Sequence, residues 1–157
     1  MLGRRKDESW DGTERRAAAV VLIVNDDPDA CEMLVRMIGA RGFRAIGATG
    51  PDDAMSRLVS DLPRCVVLDF AEGGVGTGLK VLDLIRGHSD KRVSSARVVL
   101  CAANPKNRSF SYQSGTDSFL VRPFHIDELV AQIQDVLGRA DKDRARHRRD
   151  ELTRLGE

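Results

Sequence analysis

Two short apolar runs, each stopping on carboxylates, restrict this chain more than any other feature. In Arg64-Cys65-Val66-Val67-Leu68-Asp69-Phe70, four consecutive apolar residues with two central valines follow Pro63 and end at Asp69. A run apolar at every position, rather than at alternate ones, is the pattern of a strand buried on both faces, as in a parallel sheet covered by helices. Val20-Val21-Leu22-Ile23-Val24 has the same pattern and empties into Asn25-Asp26-Asp27. Open α/β sheets hold their ligands in the crevice at the carboxyl ends of their strands. Asp69 taken alone reads as a helix cap or a solvated loop acid. A second acidic cluster after a second buried strand makes it half of a site. If the two strands are neighbours their tips lie about 5 Å apart, and Asp26 and Asp69 repel unless a proton or a cation sits between them. A hard divalent cation is the expected resident.

The remaining pattern alternates strands with helices. Residues 1–16 are polar and mixed in charge, with Trp10 the one large apolar side chain after Leu2, and are expected to form a mobile tail. A domain is expected over 17–138. Strand one spans Ala18 to Val24; Asp27 caps a helix with Pro28 at its first position and Cys31, Leu34, Val35 and Ile38 on its apolar face. A weaker strand from Phe43 to Ala48 leads to a second helix with Met55, Leu58, Val59 and Leu62 facing inward. After Asp69, the glycine-rich stretch Ala71 to Gly78 lacks the lysine and hydroxyl of a P-loop and the spacing of a dinucleotide fingerprint, so it reads as a flexible rim. Leu79, Leu82 and Ile85 mark a third helix, and a polar connection from His88 to Ser95 leads to strand four, Arg97 to Ala102. The fourth helix, opening at Asn104-Pro105, is mostly polar and is expected to pack poorly. Asp117 to Val121 forms strand five, and Ile126, Leu129, Val130, Ile133, Val136 and Leu137 give the last helix a stripe at helical spacing. Residues 139–157 are charged and intermixed, the pattern of a solvated helical extension or frayed tail.

Composition bounds the function classes. With 25 basic and 24 acidic residues the formal charge is +1, and no strongly basic domain stands out, so the electrostatic signature of a nucleic-acid binder is missing. Cys31, Cys65 and Cys101 are odd in number and each lies in an apolar stretch, which suits buried thiols in a reducing compartment. The longest apolar run, Ala17 to Val24, is too short to span a bilayer, and acids follow it where a signal-peptide cleavage site needs small residues. A cytoplasmic location is expected.

Five strand-helix units, with acids after strands one and three and a basic-Pro pair after strand five, resemble the receiver domain of bacterial two-component response regulators. The resemblance covers roughly Ala17 to Leu137 and rests on Val24-Asn25-Asp26-Asp27-Pro28, Val66-Val67-Leu68-Asp69, Val98-Val99-Leu100-Cys101-Ala102 and Phe119-Leu120-Val121-Arg122-Pro123-Phe124. It implies a flavodoxin-like α/β fold: a doubly wound five-stranded parallel sheet in the order 2-1-3-4-5, with helices on both faces. By the same resemblance Asp69 matches the phospho-accepting aspartate and Asp26 a carboxylate that binds Mg²⁺. Asn25 matches its acidic neighbour, the backbone carbonyl of Ala71 a further metal ligand, and Phe119 an aromatic switch position. Arg122 stands where the family has lysine and Cys101 where it has Thr or Ser, and the Arg122-Pro123 bond is expected to be cis. Asn25 removes one negative charge from the metal site. A thiol at 101 is a poorer donor than a hydroxyl, and the planar Arg122 fork meets phosphate differently from an ammonium.

The implied function is a stand-alone receiver that takes a phosphoryl group from a histidine kinase or histidine phosphotransfer protein. It would signal by protein contact through the fourth helix, strand five and the last helix, without turning over an external substrate. The alternative is a pseudo-receiver, a protein-binding module independent of phosphorylation, which Cys101, Arg122 and the missing Met-Pro pair after Asp69 favour. Two enzyme readings rank lower. Asp27-Pro28-Asp29 has the Asp-x-Asp spacing of haloacid-dehalogenase-like phosphatases, but its nucleophile falls one residue too late. A flavodoxin-like flavin carrier needs hydroxyl residues where this chain has acids.

Overall fold

The computed structural model describes residues 19–71 and 74–156. The expected N-terminal tail, residues 1–16, lies outside the described residues, as do Glu72 and Gly73. The central sheet has five parallel strands in the order β2-β1-β3-β4-β5, formed by β1 (Val20–Val24), β2 (Arg44–Ala48), β3 (Cys65–Leu68), β4 (Arg97–Ala102) and β5 (Ser118–Val121). All of β3 is buried. Its position between β1 and β4 explains why the run is apolar at every residue, since successive side chains point to opposite faces and both faces are covered.

Those two faces become two cores. Leu22, Val24, Val66, Leu68, Val98 and Leu100 point to one side, where α2 (Pro51–Asp61) and α3 (Gly74–Arg86) supply Leu58, Val81, Leu82 and Ile85. Val21, Ile23, Cys65, Val67, Val99 and Cys101 point to the other, where α1 (Pro28–Gly39) and α5 (Ile126–Gly138) supply Ile38, Leu129, Ile133 and Val136. Each fully buried aliphatic side chain contributes roughly 1.5–3 kcal/mol. The helices come close where a side chain is missing. A Cβ on Gly78 of α3 would lie 2.9 Å from a Leu100 methyl, and one on Gly47 of β2 would lie 2.9 Å from Cys31 Sγ.

Local signals place the α1 start as expected: the Asp27 carboxylate accepts from the Asp29 N–H at 3.1 Å, with Pro28 in the first turn. Other expectations need correction. Gly74 to Gly78 are the first turns of α3 rather than a flexible rim. In α2, Ala54 and Leu58 are the buried pair while Val59 is exposed, and Leu62 caps the helix in a left-handed conformation (φ 47). The His88–Ser95 connection contains a helical turn, Lys91–Ser94, capped by Asp90 and burying Val93.

The fourth helix follows a 3₁₀ turn, Pro105–Asn107, and is short: α4, Arg108–Gln113. It does not pack poorly, because Ser111 and Tyr112 are buried. The cover comes from the chain's charged end. Residues 141–156 form a helix, α6 (Asp141–Gly156), exposed or half-buried along most of its length; it buries Arg144 and docks beside α4 through Leu152. All three cysteines are buried and unpaired, and among the described residues no helix is long and apolar enough to cross a membrane.

Candidate functional site

The β1 and β3 tips are in register, Val24 opposite Leu68, and the Asp69 N–H donates to the Val24 carbonyl at 2.8 Å. That pairing sets Asn25, Asp26 and Asp69 around one crevice at the carboxyl edge of the sheet. Asp69 is buried, with 4% of its surface exposed, and both of its carboxylate oxygens have side-chain donors. The Arg122 guanidinium forms an ion pair with Oδ1, and Asn25 Nδ2 donates to Oδ2 at 3.1 Å. Asn25 Oδ1 in turn accepts from the Asp27 N–H at 2.9 Å, which holds the amide in place. The Asp26 carboxylate accepts from the Ala71 N–H at 3.0 Å, which ties the residue two after Asp69 to the β1 tip.

Burial pushes the Asp69 carboxyl above its ordinary range; the charge and hydrogen bond of Arg122 and the Asn25 amide pull it back only in part, and the Asp26 charge pushes it further up. A more basic carboxylate is a better nucleophile once ionised. Cys101 is buried nearby, and burial first, then the Asp69 charge, raises its thiol so that it stays protonated. The Arg122-Pro123 bond is cis, and the Arg122 side chain meets Asp69. Asp26, Asn25, Ala71 and Arg122 thus converge on Asp69. Phe119 does not; it packs with Ala102 and Tyr112 in a separate cluster, under the Arg108 guanidinium at 4.9 Å from the ring centre.

The donor set suits a small hard cation in type though not in charge. Oxygen ligands of the kind Mg²⁺ prefers are present in Asp26, Asp69 and the backbone at Ala71. Among the described residues, however, no three acidic, histidine or cysteine side chains stand together, and Asn25 beside Asp69 is a neutral amide. The oxygen donors fit Mg²⁺ in type.

Comparison with known proteins decides the family: residues 21–134 match the response regulator receiver domain. The chain belongs to that family. The receiver is 27% identical over 119 residues to the phosphate regulon transcriptional regulatory protein PhoB of Klebsiella pneumoniae, covering 76% of this chain and 52% of that protein. It is 28% identical over 123 residues to the transcriptional regulatory protein PrrA of Mycobacterium tuberculosis, covering 76% and 50%. The chain therefore spans about half the length of the curated relatives it matches, and their names count against setting nucleic acid aside for the whole protein. Among solved structures, the response regulator TrrA of Thermotoga maritima, determined in complex with Mg²⁺-BeF, is 27% identical with a TM-score of 0.63, covering 75% of this receiver and 98% of that chain. The chemotaxis response regulator CheY4 of Vibrio cholerae, 18% identical, has the same fold at a TM-score of 0.65, covering 75% and 98%.

The sequence patterns gave no sign of Asn25 as a donor to Asp69 or of the docking of α6. The first depends on the tip-to-tip register of two strands and the second on a charge pair between distant segments.

Proposed function

We propose that this receiver accepts a phosphoryl group on Asp69 from a histidine kinase or a histidine phosphotransfer protein, in the cytoplasm, and signals by protein contact. The observation that carries the reading is Asp69 itself: a buried acid at the tip of the central strand, made more basic by burial and flanked by a guanidinium on one oxygen. In the transfer, an Asp69 oxygen attacks phosphorus and forms the new P–O bond while the P–N bond of a phosphohistidine breaks. The electron pair returns to the imidazole nitrogen, which takes a proton from water. Arg122 is placed to follow the negative charge from the carboxylate to the phosphoryl oxygens, and the Asn25 amide keeps the second Asp69 oxygen oriented. Mg²⁺, held by Asp26, Asp69 and the Ala71 carbonyl, would neutralise part of the charge on the transferring group. The complex of the related TrrA with Mg²⁺-BeF supports that assignment. Output is assigned to α4, β5 and α5, and no turnover of an external substrate is expected.

The pseudo-receiver reading also has an observation in its favour, since Arg122 and Asn25 already satisfy both Asp69 oxygens. Intact-mass measurement after incubation with acetyl phosphate, with and without EDTA, separates the two. A Mg²⁺-dependent phosphoryl adduct that is absent in Asp69→Asn supports the receiver. No adduct under any condition supports the pseudo-receiver.

A further inference from the structure

The C-terminal helix α6 lies on the face assigned to output, and its two halves are held by different means. Near its start, Arg144 Nε and Nη2 donate to the two oxygens of buried Asp117 at 2.9 and 3.1 Å, and the same guanidinium reaches the carbonyls of Ser95 (2.9 Å) and Ala96 (3.3 Å). One turn on, Arg148 adds a longer contact to Asp117 at 3.4 Å. Apart from that contact, the hold from His147 onward is apolar and slight. His147 meets the Tyr112 ring edge-on at 6.1 Å between centres, and Leu152 rests on the cluster of Ala102, Tyr112 and Phe119. The last large apolar residue, Leu155, is exposed, as is Phe110 of α4.

Leu152 shares its support, the cluster of Ala102, Tyr112 and Phe119, with residues from the segments that frame Asp69. Val75 comes from the first turn of α3, and Ala102 and Val121 from the ends of β4 and β5. Val121 directly precedes Arg122, whose N–H donates to the Ala102 carbonyl at 2.8 Å. A group esterified to Asp69 removes the carboxylate charge that holds Arg122 and offers new anionic oxygens further out. Any movement of Arg122 toward them pulls on Val121, and so on the seat of Leu152. A ligand shifts such an equilibrium only through a difference in its interactions with the two states, and the Arg122 ion pair supplies that difference.

We propose that α6 is an intramolecular latch: Arg144 on Asp117 is its fixed end, and the segment from His147 to Leu152 covers Tyr112 and Phe119 until loading of Asp69 loosens it. The uncovered surface is one that fits a protein helix presenting a single leucine, in place of Leu152. This inference rests on the reading of Asp69 as phosphoryl acceptor. Because coupling is reciprocal, a weakened latch must also favour loading.

The test uses the full chain and two readouts on each sample: intact mass for loading by acetyl phosphate with Mg²⁺, and amide hydrogen exchange along α6. Loading is expected to raise exchange over 147–152 at least tenfold while the amides of 144–146, the first with acceptors one turn back in the helix, stay protected. Leu152→Asp is expected to show the raised exchange unloaded and to load faster, with Leu152→Ala intermediate and less disruptive. An adduct without any change in α6 exchange overturns the latch and leaves the acceptor reading standing. Fast exchange over 147–152 in the unloaded wild-type chain also overturns it. No adduct in wild type or in either variant overturns the acceptor reading and the latch with it. An adduct in the variants alone supports the latch.

Discussion

Arg144 reaches from the C-terminal helix to place its guanidinium fork on both oxygens of Asp117, a carboxylate buried at the start of β5. Arg86 donates to the same acid at 2.8 Å from the other side, as does the Val98 N–H at 2.9 Å. Burial alone would raise the Asp117 carboxyl, but the hydrogen bond and charge of Arg144, followed by the charge of Arg86, outweigh it and hold the group below the usual carboxylate range.

Removing the acid should therefore cost more than removing one of its partners. Asp117→Asn leaves the guanidinium groups of Arg86 and Arg144 without their counter-charge and should destabilise the fold by about 3–5 kcal/mol. Arg144→Gln leaves Asp117 with Arg86, Arg148 and the Val98 N–H, and should cost about 1–3 kcal/mol. Urea denaturation at pH 7 orders the two, and equal losses would show that uncompensated charge is not what matters. The sign with pH follows from the depressed carboxyl: its contribution is present above the unfolded value of about 4 and is lost as pH falls through the lower folded value.

Asp69 should behave in the opposite sense. Its carboxyl is raised in the folded protein, so stability falls as pH rises from the unfolded value to the folded one and stays lower above it. Asp69→Asn is expected to raise stability at pH 7 by about 1 kcal/mol, an exchange of function for stability common at active sites. Thermal melts of both proteins from pH 7 down to pH 4.5 check this: the gain should shrink toward the acid end. A loss of stability at pH 7 would mean that the Arg122 pair outweighs the burial of Asp69.

Asn25→Asp tests the charge deficit of the metal site. The substitution replaces the amide donor to Asp69 Oδ2 with a third carboxylate, so without metal the melting temperature should drop. Added Mg²⁺ should then raise it by more than in wild type, because ligand binding to the folded state stabilises by mass action. A Mg²⁺ titration followed by thermal melting would sink the idea if the two proteins responded alike.

If Asp69 takes a phosphoryl group as proposed, its loss should be slow. In the family, side chains two residues after the acceptor and two after the Thr/Ser position help orient the attacking water, and here these are Ala71 and Ala103. Both are exposed and neither can hydrogen-bond through its side chain. Decay of the phosphorylated protein should quicken in Ala71→Asn and Ala103→Glu. If neither substitution quickens it, water positioning does not limit the lifetime.

The sheet and the acidic crevice at its edge were legible in the sequence because their signals are local. A short, valine-centred apolar run such as Cys65 to Leu68, with Pro63 just before it, suits a strand covered on both faces, and the acid that ends it then lies at the strand tip. Asp27 and Pro28 mark a helix start by their own backbone chemistry, and the stripe from Ile126 to Leu137 marks a helix by its period. The glycines of Gly74 to Gly78 were misleading for the same reason. Their low helix propensity is a local preference, and packing against Leu100 and Phe70 overrides it at Gly78.

What only the tertiary structure decided is which distant polar groups meet. Asp117 and Arg144 are 27 residues apart, and α6 has almost no apolar face by which to read its orientation. One buried carboxylate, in need of counter-charge once β5 enters the sheet, selects Arg144 from a helix rich in arginines and so docks α6 over Tyr112 and Phe119. The donor pair on Asp69 has a similar origin, since Asn25 and Arg122 lie 44 positions before it and 53 after it. Charge pairing carries no periodicity along a chain. It is set by the desolvation that folding imposes, which exists only when the sheet is assembled.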